Sequence, residues 1–311
     1  MIGVIPDIPG LASRHFPSWR KAVAGSDLPF ALTRRLFAAA IGKHLRGREG
    51  ESYFDEFITL PGREIPIRIY RQQDHGAPAT VVYFHGGGGV SGNLDTHHGF
   101  CLALRELLGA SVLSVHCRRA PENPYPAQVE DALEAIRYAS SCNGLLPESP
   151  QGLILAGDSA GGFVAFRSAL ALAKIIRLRG LLLFYPALEP DCSKSSFTTH
   201  ARAPGLTAET MRQYWDALLG YDQGIRDGLE LARADLRNLP PTAVIVAEQD
   251  PLRDDGTRLV RLLNGLKKPA TCVVASGTTH GFCRVVQQDA GAMAWVEAGI
   301  AQFLPMLDRP G

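Results

Sequence analysis

The chain lacks most of the features that mark a specialised scaffold. No stretch approaches the ~18 apolar residues of a membrane-spanning helix, so no span is expected. Met1 to Gly10 has no charged start followed by an apolar core, so no secretory leader is read there. Neither sign of charge dominates: 32 Lys and Arg face 31 Asp and Glu, a net charge of +1. That balance gives no reason to expect a nucleic-acid partner. The six cysteines are Cys101, Cys117, Cys142, Cys192, Cys272 and Cys283, and none falls in a C-x-x-C or other metal-type spacing. They read as buried, reduced thiols, and the expected location is cytoplasmic. Internal repeats and low-complexity tracts are missing. So are G-x-x-x-x-G-K-[ST] and G-x-G-x-x-G leading into a helix, the phosphate-cradling patterns. No metal and no organic cofactor is expected.

What is present is ample apolar material, 46% of 311 residues, enough for a large buried core. Charge clusters in one place. Arg14, Arg20, Lys21, Arg34, Arg35, Lys43, Arg46 and Arg48 lie in a stretch whose one acid is Asp27. A solvated helix face and a membrane- or partner-binding surface both account for it.

Residues 1 to about 50 read as helical, with Phe30, Leu32, Leu36, Phe37, Ile41 and Leu45 near helical spacing. A hairpin is expected from Glu56–Leu60 and Ile65–Tyr70 around Pro61-Gly62. Strands then alternate with helices. The predicted strands are Thr80–Phe84, Ala110–Val115, Gly152–Ala156, Leu181–Tyr185, Thr242–Ala247 and Thr271–Ala275. The predicted helices are Phe100–Leu108, Ala127–Ser140, Ala160–Arg177, Asp254–Leu266 and Ala290–Leu304. This is an α/β class chain: a mostly parallel eight-stranded sheet with helices on both faces. The excursion 186–239 breaks the rhythm, with one helix expected over Thr207–Leu219. With residues 1–50 it is expected to form a helical cap on a single domain.

Gly157-Asp158-Ser159-Ala160-Gly161 is a G-x-S-x-G pentapeptide placed between a strand and a helix. A serine on such a turn is held in a strained conformation that lifts its Oγ above the sheet. Ser159 is the candidate nucleophile. The expected chain order continues with an acid and then a histidine, each on a loop past the carboxyl end of a strand. His280 alone among nine histidines follows the last predicted strand, which makes it the candidate base. Glu248, Asp250, Asp254 and Asp255 compete for the acid. Asp250 lies just past its strand, whereas Asp254 and Asp255 fall where a helix begins and carboxylates stabilise its N-terminus. Asp250 is therefore assigned to orient His280. The glycines of His85-Gly86-Gly87-Gly88-Gly89 let backbone N–H groups approach an oxyanion. Gly87, Gly88 and Ala160, the residue after the nucleophile, are the predicted donors.

Five segments together resemble the hormone-sensitive-lipase-like esterases of the α/β-hydrolase fold, with bacterial acetyl esterases as the nearest sub-group. They are His85–Gly88, Gly92–His97, Arg118–Glu122, Gly157–Gly162, and Asp250–Asp255 with His280-Gly281-Phe282. The resemblance implies a Ser159–Asp250–His280 triad, oxyanion donors at Gly87 and Gly88, and short-acyl esters as substrates. Lactonase, amidase or other acyl-hydrolase activity on the same triad, or a non-catalytic small-molecule-binding relative, are the alternatives. The expected partner is a small ester, and monomer and homodimer both stay open. Two departures stand out: Gly89 replaces the aromatic residue usual after H-G-G-G, and Cys117-Arg118-Arg119 replaces Y-R-L. The first should widen the pocket or loosen the loop. His85 is expected to buttress the glycine loop, Asp95 and Glu122 to accept backbone hydrogen bonds, and Asp158 to stay clear of substrate. At least one X-Pro bond at Pro121 or Pro126 is expected to be cis.

Overall fold

The computed structural model describes residues 53–72, 79–141, 146, 152–220 and 222–308. The expected helices of residues 1–50, and Cys142, lie outside them. Eight strands form one sheet in the order β1-β2-β4-β3-β5-β6-β7-β8. The hairpin strands β1 (Tyr53–Leu60) and β2 (Arg63–Tyr70) pair antiparallel, turning at Gly62. β2 also runs antiparallel to β4 (Ser111–Val115). From β4 onward the pairing is parallel through β3 (Thr80–Phe84), β5 (Leu153–Asp158), β6 (Leu178–Phe184), β7 (Thr242–Gln249) and β8 (Ala270–Thr279).

The continuous apolar runs are those of strands covered on both faces. All five residues of β3 are buried, and alternation sorts them: Val82 and Phe84 enter one core, Val81 and Tyr83 the other. Helices α2 (Ala127–Ser140), α3 (Ala160–Leu172) and α7 (Arg253–Gly265) supply the first core through Ile136, Phe163 and Leu259. Helices α1 (His98–Leu108) and α8 (Ala290–Leu307) supply the second through Phe100, Val296 and Ile300. By length and composition α8 is the one described helix long and apolar enough to cross a membrane, a test that core helices also pass. Its Val296, Ile300 and Phe303 are buried in the second core.

The excursion holds three short helices, α4 (Ser195–Thr199), α5 (Ala208–Leu219) and α6 (Gln223–Gly228). Thr207 caps α5 by accepting the Thr210 N–H at 3.1 Å. Several boundaries differ from expectation, among them β8, which runs to Thr279 rather than Ala275. The helix expected over Ala160–Arg177, α3, stops at Leu172. The chain turns there to enter β6 at Leu178, with the Ile175 and Ile176 N–H groups both donating to Leu172 O. β5 runs two residues further, through Gly157 and Asp158, so the elbow springs directly from the strand. The Ala120–Pro121 and Tyr125–Pro126 bonds are both cis.

Candidate active site

Parallel strands end on one side of the sheet, and the register decides which ends meet. Gln249 pairs with Thr279, so the next residues, Asp250 and His280, leave side by side. Phe84 pairs with Gly157, which sets the glycine loop beside the elbow. Ser159 has φ 53° and ψ −121°, a conformation rarely adopted outside glycine. The flanking glycines are needed for close approach. A Cβ on Gly161 would stand 2.0 Å from the Phe84 carbonyl oxygen, and one on Gly157 2.3 Å from that of Gly161.

The structure brings the three predicted side chains into one line. His280 Nε2 lies 2.9 Å from Ser159 Oγ, and His280 Nδ1 lies 2.7 Å from Asp250 Oδ2. Asp250 is fully buried, and its Oδ1 accepts the Leu252 N–H at 2.9 Å. A carboxylate held this way fixes the imidazole with Nδ1 protonated and Nε2 ready to accept the Ser159 hydroxyl proton. The Tyr185 ring packs edge-on to the imidazole, centroids 4.8 Å apart. Glu248 is elsewhere, accepting the Gly277 N–H at 2.7 Å.

Of the three predicted donors, Ala160 follows Ser159 directly, and Gly87 and Gly88 lie in the loop that leaves β3 beside the elbow. Ala160 opens α3, where N–H groups have no acceptor within the helix. In the loop each donor belongs to a peptide whose carbonyl is held. Gly87 O accepts from Val90 N at 3.1 Å and from Ser91 N and Oγ at 2.9 Å, fixing the Gly87–Gly88 plane. Gly86 O accepts from His85 Nδ1 at 2.9 Å, so His85 does buttress the loop. Helix α5 closes over the glycines. A Cβ on Gly88 would meet the Tyr214 ring at 2.4 Å, and one on Gly89 would meet Leu218 Cδ1 at 3.1 Å. Leu218 thus packs against the point from which an aromatic side chain at position 89 would start.

Asp158 has a role the sequence reading missed. It points away from the line of Ser159 and accepts from the Gly86 N–H at 2.7 Å and Tyr83 Oη at 2.6 Å, with His97 Nε2 at 3.4 Å. Burial works to raise its carboxyl, yet His97 and Tyr83 outweigh burial and hold it below the usual carboxylate range. The signal was available: an acid ending an apolar strand must find partners. Asp95 also departs from expectation, since its carboxylate pairs with Arg68 Nη1 at 2.9 Å. The acceptors in its loop are Asn93 Oδ1, for the Thr96 N–H, and Thr96 Oγ1, for the Asn93 N–H, each at 2.9 Å.

Asp254 and Asp255 do occupy the first turn of α7, but their side chains also reach the excursion. Asp254 Oδ2 accepts the Ser196 N–H at 2.9 Å, and Asp255 Oδ2 the Leu188 N–H at 2.8 Å. Lys194 Nζ bridges Asp255 at 3.1 Å and Glu189 at 3.3 Å, and Arg258 also pairs with Glu189.

A family model described as alpha/beta hydrolase fold matches residues 81–284, the span holding every segment above. The chain belongs to the alpha/beta hydrolase fold family. Its hormone-sensitive-lipase-like branch is the one the motifs resemble. Among curated alpha/beta hydrolase relatives, Esterase LipI of Mycobacterium tuberculosis is 36% identical over 240 residues, covering 73% of this chain and 74% of its own. The ethyl acetate hydrolase of Pseudomonas putida is 31% identical over 252 residues, covering 77% and 79%. Among solved structures, the esterase of Pyrobaculum calidifontis superposes with a TM-score of 0.81 at 31% identity, over 93% of this chain and 98% of that one.

Proposed function

We propose that the chain is a serine carboxylesterase that hydrolyses short-acyl carboxylic esters through an acyl-enzyme intermediate. The observation that carries the reading is the line Asp250 Oδ2, His280 Nδ1, His280 Nε2, Ser159 Oγ, with gaps of 2.7 and 2.9 Å. Ser159 Oγ attacks the ester carbonyl carbon and its proton passes to His280 Nε2. Asp250 stabilises the imidazolium and does not take the proton. The carbonyl oxygen becomes an oxyanion held by the N–H groups of Gly87, Gly88 and Ala160, each typically worth ~3 kcal/mol of barrier. Collapse breaks the bond to the alcohol, which leaves with the proton from His280. Water then repeats the sequence on the acyl-enzyme, and the carboxylate product departs.

Residues 186–239 serve as the cap in this reading. What supports it is contact with both halves of the site: Tyr214 and Leu218 lie on Gly88 and Gly89, and Gly205 lies so close to the His280 carbonyl that a Cβ would sit 2.5 Å from it. A short acyl group fits the loop pressed by α5, and the acetate ester in the name of the P. putida relative supports the same class. The cytoplasmic location rests on free thiols at Cys101, Cys117, Cys192, Cys272 and Cys283. A fluorophosphonate probe should label the protein on the peptide carrying Ser159. Hydrolysis of a p-nitrophenyl ester series should peak between acetyl and butyryl. Labelling elsewhere overturns the site, and a peak at octanoyl or longer overturns the substrate class.

A further inference from the structure

The two donor peptides of the glycine loop are held unequally. In a trans peptide the carbonyl and the following N–H point in opposite directions, so whatever grips the carbonyl aims the donor. Gly87 O is gripped three times, by Val90 N, Ser91 N and Ser91 Oγ, which aims the Gly88 N–H redundantly. Gly86 O, which aims the Gly87 N–H, has one donor among the described residues, His85 Nδ1 at 2.9 Å. That bond requires the proton to be on Nδ1. A neutral ring then carries a lone pair on Nε2.

His116 meets that lone pair. Its Nδ1 lies 3.1 Å from His85 Nε2, and the two ring planes are inclined by 23° with centroids 5.3 Å apart. His116 is itself fixed, since its backbone N–H donates to Pro66 O at 2.9 Å, just past the end of β4. Gly92, at φ 85°, seals the arrangement: a Cβ there would stand 2.4 Å from Gly86 O and 2.6 Å from His85 Nδ1. Arg119 Nη1 holds the Gly92 carbonyl at 3.0 Å.

We propose that His116 is a positioning residue for ester hydrolysis: by donating from Nδ1 to His85 Nε2 it selects the His85 tautomer that grips Gly86 O, and so aims the Gly87 N–H at the oxyanion. The proposal rests on the oxyanion role assigned to Gly87. Burial, with His116 and His97 alongside, pushes the His85 imidazole well below its ordinary value, which keeps it neutral and makes the choice of tautomer decisive. Without His116, His85 is free to move its proton to Nε2, and Gly86 O loses its donor.

The test compares His116→Ala with His116→Asn, whose Nδ2–H occupies the place of the imidazole Nδ1–H. With p-nitrophenyl acetate, His116→Ala should lose roughly ten- to a hundredfold in kcat, part of the 10²–10³ lost when a donor is deleted outright. KM should stay within about threefold, because the donor acts on developing charge rather than on the ground state. His116→Asn should recover kcat to within about threefold of the parent by restoring the hydrogen bond. Unaltered kcat in His116→Ala overturns the proposal. So does equal impairment of both variants with a matching drop in thermal midpoint, which marks a packing role only. A trifluoromethyl ketone separates the layers of the account. Weaker inhibition of His116→Ala than of the parent supports the aiming of the donor, and equal inhibition overturns it. If Ser159→Ala keeps its turnover, the active-site reading itself has failed, a result independent of how His116 behaves.

Discussion

The Asp158 carboxylate accepts the Gly86 N–H at 2.7 Å, so the residue before the candidate nucleophile grips the head of the glycine loop. Elbow and loop are thereby one rigid unit, although 72 positions separate them in the chain. The same oxygen takes the Tyr83 hydroxyl. Oxyanion stabilisation depends on donors that are placed before the reaction begins, and in the proposed esterase reading this contact places one side of them.

Asp158→Ala should leave Gly86 N–H and Tyr83 O–H buried without an acceptor, at a cost of about 3 kcal/mol or more in stability and a marked fall in kcat. Asp158→Asn keeps an acceptor oxygen and should be milder on both counts. The pH dependence has a definite sign. The folded-state carboxyl is held below its ordinary value of 3.8, so its contribution is complete above that value and is lost as pH falls through the folded one. Urea denaturation of parent and Asp158→Asn at neutral and acid pH checks this: the gap between them should narrow in acid.

Gly88→Ala and Gly89→Ala should differ in severity. Both positions have positive φ, 67° and 73°, so each alanine is strained. The Gly88 methyl would also strike the Tyr214 ring at 2.4 Å, whereas the Gly89 methyl meets only the tip of Leu218 at 3.1 Å. Gly88→Ala is expected to abolish most turnover of p-nitrophenyl acetate. Gly89→Ala is expected to retain a measurable fraction, increased when combined with Leu218→Ala.

The buried charges under the excursion give the opposite pH sign to Asp158. Burial pushes the Asp255 carboxyl up to about 6, although Lys194 and the Leu188 N–H draw it back. Its stabilising contribution is then present below 3.8 and lost as pH rises through about 6. The thermal midpoint of the parent relative to Asp255→Asn should therefore fall between about pH 4 and pH 6. Removing the cation instead, in Lys194→Met, takes the ion-pair partner from buried Asp255, while Glu189 keeps Arg258. That should cost roughly 3–5 kcal/mol at neutral pH.

Much of this was legible in the chain itself. The alternation of apolar runs and amphipathic stretches is a local property, and it located the strands and helices to within a few residues. Ser159, Asp250 and His280 were legible because each follows a strand that must end on the same side of a parallel sheet. The partners of Asp158, Asp95 and Asp255 were not, because they are set by strand register and by helix packing between distant segments. The strand exchange that puts β4 between β2 and β3 is of the same kind. Arg119 stood out only as part of a departure from a familiar pattern and His116 not at all, and their contacts with Gly92 and His85 needed coordinates.

The central claim is that Ser159 is the nucleophile of an esterase. The direct measurement is p-nitrophenyl acetate turnover by Ser159→Ala, with circular dichroism to verify that the variant is folded. The account predicts a folded protein whose hydrolysis falls to the level left by the oxyanion donors and binding alone, at least about a thousandfold below the parent. A folded variant that keeps most of its turnover would contradict it.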